Sequence, residues 1–183
     1  MKIWVLSRGC PSEKNPLLGI FEFDQARALK TAGHEVIFLS LDLRSIRRWR
    51  KWGIQCFTKE EVPIVEINVP CGAIPYSIFH FVGKMAFSIL FHKAEKLYGR
   101  PDIFHAHFGN IADLCADLIS KKKIKFVVTE HNSQIMEEPM KAKIYRSAKH
   151  GYEKADTVVC TARLPDHRAE AASCSRSFHA YSW

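Results

Sequence analysis

No stretch of about 18 uncharged apolar residues, the least that marks a membrane-spanning helix, occurs in this 183-residue chain; the nearest, Ile74 to Leu90, is interrupted by His80 and Lys84. The N-terminus, MKIWVLSRGC, has one Lys and only a short apolar run. That is too little for a secretory signal, so a cytoplasmic protein is expected. The six cysteines are scattered: Cys10, Cys56, Cys71, Cys115, Cys160 and Cys174 form no C-x-x-C pair and no zinc-ligand spacing with a second cysteine or a histidine. All six are read as structural or incidental, and no metal is expected. No G-x-G-x-x-G follows the first strand, which disfavours a nicotinamide-dependent enzyme. Despite a pI near 9.2, no nucleic-acid recognition motif is present, so nucleic acid is not expected as a partner.

What remains is ordinary globular composition, 47% apolar and 25% charged, with one uneven feature. The net charge of +8 is concentrated in RSIRRWRK, where Arg44, Arg47, Arg48, Arg50 and Lys51 surround Trp49 with no acid among them. Such a patch suits polyanions, whether phospholipid head groups, nucleic acid or a diphosphate. On composition alone it reads as a solvated helix face.

The apolar pattern alternates between strand and helix. KIWVLS opens as a strand, and a loop with Pro11, Asn15 and Pro16 follows. From Leu17 the apolar residues fall at helical spacing through Ala32, and Gly33 stands where a helix ends. EVIFLSL is then a near-continuous apolar run, as in a strand buried on both faces. Further strands are expected at 62–69, 103–106, 125–129 and 157–161, and helices at 76–98, 111–120 and 139–155. This order predicts an α/β fold: a doubly wound, mostly parallel, Rossmann-like sheet in a single domain over residues 1–162. Residues 163–183 lose the apolar pattern and are expected to be a disordered or foreign tail.

In doubly wound sheets ligands bind at the carboxyl ends of strands, and polar groups gather at three of them. Gly19, ahead of the first helix, would let backbone amides approach an anion, or would simply make a tight turn. In IFHAHFGN, His105 and His107 share a strand face; His107, at the strand end, is the one placed to meet a ligand, unless a backbone carbonyl satisfies it. VVTEHNS crowds Thr129, Glu130, His131, Asn132 and Ser133 at the end of a buried strand. A polar cluster there is costly unless it meets solvent or ligand, and His131 can donate or accept a hydrogen bond near neutral pH.

These segments carry a resemblance. The stretches KIWVLS, NPLLGIFEFDQARALKTAGHEVIFL, PDIFHAHFGN, FVVTEHNS and YEKADTVVCT, in this order, resemble the N-terminal domain of retaining glycosyltransferases built from two Rossmann-like domains, the group called family four. The resemblance implies an acceptor-binding half, serving surface polysaccharide or glycolipid synthesis, with a glycan or lipid-linked acceptor. A nucleotide sugar would bind only if a C-terminal domain were supplied, and no other cofactor is implied. It assigns His131 to the reaction centre as an orienting and electrostatic group, and Gly19, His107, Glu130 and Asn132 to substrate binding. Many members have two glycines where this chain has Leu18-Gly19. It also recasts Arg44, Arg47, Arg48, Trp49, Arg50 and Lys51, with the Phe-rich helix, as a surface resting on the anionic inner membrane face. Because the family pattern stops near Ala162, the chain is expected to be truncated and inactive alone. The alternative is a non-enzymatic acceptor- or membrane-binding remnant.

Overall fold

A computed structural model describes residues 1–72, 74–131, 142–160 and 178–180. The chain divides into two compact units, Met1–Asp102 and Ile103–Trp183.

The first unit contains β1 (Lys2–Ser7), α1 (Ile20–Thr31), β2 (Glu35–Asp42), β3 (Gly53–Lys59), β4 (Val62–Asn68) and α2 (Tyr76–Tyr98). Its strands lie in the order β3-β4-β2-β1. β1, β2 and β4 are parallel, and β3 runs antiparallel along β4. Registered neighbours share a face of a sheet. Trp4, Leu6, Ile37 and Leu39 therefore point one way, and Val5, Ser7, Phe38 and Ser40 the other. Phe91 of α2 packs on Trp4 with ring centroids 5.1 Å apart. Phe23 of α1 meets Phe38 edge-on at 5.4 Å. The two helices thus cover opposite faces, which is the doubly wound arrangement, and both faces of β1 and β2 are buried as their unbroken apolar runs require.

β3 has no counterpart in the sequence reading. GIQCFTK is mostly exposed and carries no continuous apolar run. It is an edge strand, held by its antiparallel ladder to β4 rather than by burial. The segment before it also departs from expectation. Arg44 to Lys51 forms turns, not a helix face.

α2 explains why its sequence is apolar nearly all round. Gly83, Ala86, Phe87, Leu90, Phe91 and Ala94 are buried at heptad-like spacing. Ile78, Phe81, Met85 and Ile89 recur at the same spacing on another side and are exposed. The helix has two apolar faces, and only one of them is core.

The second unit contains β5 (Ile103–His107), α3 (Gly109–Lys121), β6 (Lys125–Glu130), α4 (Ala142–Lys154), β7 (Thr157–Cys160) and β8 (Phe178–Ala180). β5-β6-β7-β8 pair in that order, all parallel. Of the expected tail, only the short strand β8 belongs to the described residues.

Candidate functional site

The register of β5 with β6 decides where each polar side chain points. His107 pairs with Thr129, and Ala106 with Val128. His105, His107 and Thr129 therefore line one face, with His131 following Thr129 by two positions. Glu130 falls on the opposite face with Phe104 and Ala106. The run Thr129-Glu130-His131 splits accordingly into two different kinds of site.

On the first face the histidines form a chain. His105 Nε2 lies 2.7 Å from Thr129 Oγ1, and its ring stacks on His107 at 4.5 Å. His107 Nδ1 lies 2.9 Å from His131 Nε2. The planes of these two rings agree within 5° and their centroids stand 5.2 Å apart, the geometry of two imidazoles joined edge to edge by one N–H···N bond. His107 is fully buried, and its Nε2 has no hydrogen-bond partner among the described residues. A buried orphan N–H is rarer than an orphan acceptor. The proton of His107 therefore belongs on Nδ1, where it donates to His131, and His131 Nε2 is the acceptor. Burial lowers His107 well below the usual imidazole range, helped by His105 and His131. Burial, then His131, lowers His105 to about 4. At neutral pH both inner rings are uncharged. His131 is the half-buried terminal member of the chain.

On the second face Glu130 is turned inward. Its Oε2 accepts hydrogen bonds from the Gly109 amide, at 2.7 Å, and from the Tyr152 hydroxyl. One carboxylate so joins β6 to the N-terminus of α3, where a negative charge is favoured, and to α4. Burial, then Glu130, pushes the Tyr152 phenol upward, which keeps it a donor. Gly109 and Gly151 let the helices approach closely. A Cβ on Gly109 would lie 2.6 Å from that of Ala148, and one on Gly151 would lie 2.8 Å from that of Ala112. Between the two faces Phe108 takes φ 67, a strained value for a non-glycine residue. It is held there by its amide donating to the Thr129 carbonyl at 2.8 Å. Its ring lies 5.4 Å from that of His131.

His107 and Glu130, expected to contact substrate, are buried; one positions His131 and the other ties helices to strand. Asn132 lies outside the described residues. Tyr152 and Phe108 were missed. A tyrosine one turn from a helix end and a phenylalanine before a glycine carry no spacing signal, and only the fold brings them to the site.

In the first unit Gly19 has φ 69. A Cβ there would meet the Gly9 carbonyl oxygen at 2.2 Å and Ser7 Oγ at 2.8 Å. The glycine is required by its own loop, whatever else approaches it. Ser7 Oγ also lies 3.1 Å from Glu22 Oε1, so a buried carboxylate already stands in the first turn of α1.

The basic segment is divided. Arg44 donates to both oxygens of the buried Asp42. Arg50 donates to Asp42 Oδ1 at 2.8 Å and to the carbonyls of Asp42, Arg44 and Ser45. Two of the five cations assigned to a membrane surface therefore face inward, neutralising a buried acid and stapling the loop. Arg47, Arg48, Trp49 and Lys51 are exposed, and Trp49 rests against Trp52 at 5.3 Å. Among the described residues no group of three His, Cys, Asp or Glu side chains is arranged to hold a metal ion. No helix among them is long and apolar enough to cross a membrane. Cys10 and Cys160 are each pushed up to about 12, chiefly by burial and also by Glu66 and Glu130 respectively. Neither is a ready nucleophile.

Known proteins share this architecture. The sequence profile of Glycosyltransferase Family 4 matches residues 23–164. The fold is similar to that of sucrose-phosphate synthase from Thermosynechococcus elongatus, with 16% identity and a TM-score of 0.62 over 98% of this chain and 87% of that one. It is also similar to the catalytic domain of starch synthase IV from Arabidopsis thaliana, solved with ADP and acarbose, at 13% identity and a TM-score of 0.60. There 98% of this chain corresponds to 50% of that one. A trehalose-6-phosphate structure from E. coli, bound with UDP-2-fluoro glucose, matches at 13% identity and a TM-score of 0.55, over 99% and 48% of the respective chains. The chain thus spans about half the length of the latter two structures. No curated protein sequence matches it.

Proposed function

This chain belongs to glycosyltransferase family 4, and from that premise we propose that its 183 residues form the acceptor side of a sugar-nucleotide-dependent retaining transferase serving polysaccharide or glycolipid synthesis. The observation that carries the reading is the coplanar His107–His131 pair at the carboxyl ends of β5 and β6. His131 stands where doubly wound sheets receive ligands. Its Nε2 is engaged by a buried neutral donor, which fixes the orientation of the ring. An imidazole held in a fixed orientation suits the positioning of a sugar hydroxyl and the stabilisation of charge on a leaving group. It does not suit strong general base catalysis, since the acceptor lone pair is occupied. Retention would then rely on the donor phosphate to receive the acceptor proton.

The nucleotide sugar would be held mainly by a second domain, as the resemblance implies, so the 183 residues alone are expected to turn over no nucleotide sugar. The test is an NMR titration of the histidine resonances with a saccharide acceptor and, separately, with UDP-glucose. The acceptor should move the His131 signals, and the nucleotide sugar should leave them in place. Tight binding or turnover of the nucleotide sugar by this chain would overturn the assignment to the acceptor side.

A peripheral position on an anionic membrane face fits the same reading. The exposed stripe Ile78, Phe81, Met85 and Ile89 supplies apolar area for an interface, and Arg47, Arg48 and Lys51 with Trp49 and Trp52 supply cations and indoles. The loop leading to α2 is tied to the basic loop by Cys71 N donating to the Arg44 carbonyl at 3.2 Å, so the basic loop and the start of the helix are neighbours.

A further inference from the structure

The strand order of the first unit ends on β3, and among the described residues no strand pairs with its outer edge. An open row of backbone N–H and C=O groups is a template for a further strand. Proteins normally blunt such an edge with charge, proline, a bulge or a very short strand. β3 has little of this protection. It is seven residues long and contains no proline. Its ladder with β4 runs one to one from Gly53 opposite Asn68 to Lys59 opposite Val62, so no bulge turns the edge aside. Lys59 is its sole charge, and that ammonium already donates to the Pro11 carbonyl at 2.8 Å. Ile54 and Phe57 stand exposed on opposite faces of the strand.

The charges at the two ends of the strand point to what completes this edge. Ahead of β3 lie Arg47, Arg48 and Lys51, all exposed. Behind it the Glu60–Glu61 turn carries two carboxylates, with positive φ at both residues, 46 and 62, as in the tight turns that join antiparallel strands. Glu60 is answered by Arg27 at 2.8 Å, whereas Glu61 lies 3.6 Å from Lys30 and is 88% exposed. A second copy of β3 laid antiparallel on the first would bring the basic end of each against the acidic end of the other. With the two-fold axis at Cys56, Lys51 comes opposite Glu61, Ile54 opposite Thr58 and Gln55 opposite Phe57, each pair occurring twice. Moving the axis to Gln55 would set Lys51 against Lys59, and a parallel copy would put like ends together, both unfavourable across a ladder. We propose that this chain self-associates as a two-fold dimer by antiparallel pairing of β3 with the β3 of a second copy, centred on Cys56. Such a contact uses the same surface on both copies and closes at two. An unrelated peptide would need the same opposed charges, which a second copy supplies by symmetry. None of these features depends on the glycosyltransferase reading.

Sedimentation velocity of the 183-residue chain should show concentration-dependent growth to twice the 21.0 kDa of one chain. A seven-residue ladder is a small interface, so a dissociation constant of about 1–100 μM is expected. Lys51→Glu and Glu61→Lys should each weaken the dimer about tenfold, since each reverses two symmetry-related contacts. The double variant Lys51→Glu/Glu61→Lys restores both pairs and should return to within about twofold of the parent. Both side chains are exposed, so all three variants should fold, with far-UV circular dichroism as the check. Cys56 gives an independent readout. Directly opposed residues place their Cα atoms about 4.5–5.5 Å apart, within the reach of a disulfide. Cys56 is exposed, whereas Cys10, Cys71, Cys115 and Cys160 are buried. Diamide, which accepts the two thiol hydrogens, should link two chains through Cys56, and Cys56→Ser should remove that link while leaving the dimer. A monomer at every concentration up to about 0.5 mM, above the expected range, would overturn the proposal. So would open-ended oligomers, a dimer indifferent to both charge reversals, a double variant no tighter than the single ones, or a parent dimer that diamide fails to link through Cys56.

Discussion

Single residues here carry constraints that their neighbours in sequence do not show. Gly19→Ala would combine a positive φ, which costs an L residue roughly 1–2 kcal/mol, with a backbone oxygen 2.2 Å from the new Cβ. Urea denaturation should show a loss of about 2 kcal/mol or more. His105 and His107 give the fold a dependence on acid. Both are held neutral below the ordinary imidazole value, so between about pH 6.5 and about 4 the unfolded chain binds protons that the folded chain refuses. Stability should therefore fall as pH drops through this window, by roughly 1.4 kcal/mol per pH unit for each such histidine. Denaturation midpoints at pH 7 and pH 5 measure the slope, and His105→Asn should reduce it. The sequence showed the H-x-H alternation and the polar strand end. It did not show that His107 is buried, because register with β6, a partner about twenty residues away, decides what covers that face.

Among the elements, α2 shows most directly what a periodic pattern can and cannot tell. Its bounds, Tyr76 to Tyr98, follow from the sequence, because Pro75 and Gly99 punctuate a continuous apolar stretch. Its two faces do not. Phe81 and Phe91 are equivalent in the sequence, yet one is exposed and the other fully buried. Phe91→Ala should cost about 3–5 kcal/mol, whereas Phe81→Ala should stay within about 0.5 kcal/mol, both read from denaturant midpoints. The edge strand β3 was not legible for the opposite reason. With few buried side chains, it leaves little hydrophobic pattern to read, and its pairing is a property of β4 as much as of itself. Helix crossing is a further element-level constraint. Gly109→Ala would press on Ala148 and Tyr152, with an expected loss of about 1–3 kcal/mol.

For the molecule as a whole, charge is the property most altered by folding. The sequence reads as one basic stretch of five cations, but the structure separates them into an internal pair and an outward set. The two groups predict opposite phenotypes. Neutralising Arg47, Arg48 and Lys51 to Gln should leave the fold intact and weaken flotation with anionic vesicles by about 1 kcal/mol per cation, with binding to neutral vesicles unchanged. Arg50→Gln should leave Asp42 short of a partner and lower stability by about 3 kcal/mol. Equal recovery of the parent chain on anionic and neutral vesicles would remove the electrostatic part of the proposed membrane attachment.

The tie made by Glu130 has a consequence for how such a site can vary. His131 follows directly on a residue whose carboxylate is clamped by α3 and α4. The spacing of that helix pair thus acts as a gauge for the tip of β6. Substitutions at Gly151 or Ala148 touch no ligand, yet they would re-aim the imidazole as surely as a change at the strand itself. Drift in the helix seam is therefore constrained by the aim it imposes on His131 at the strand tip.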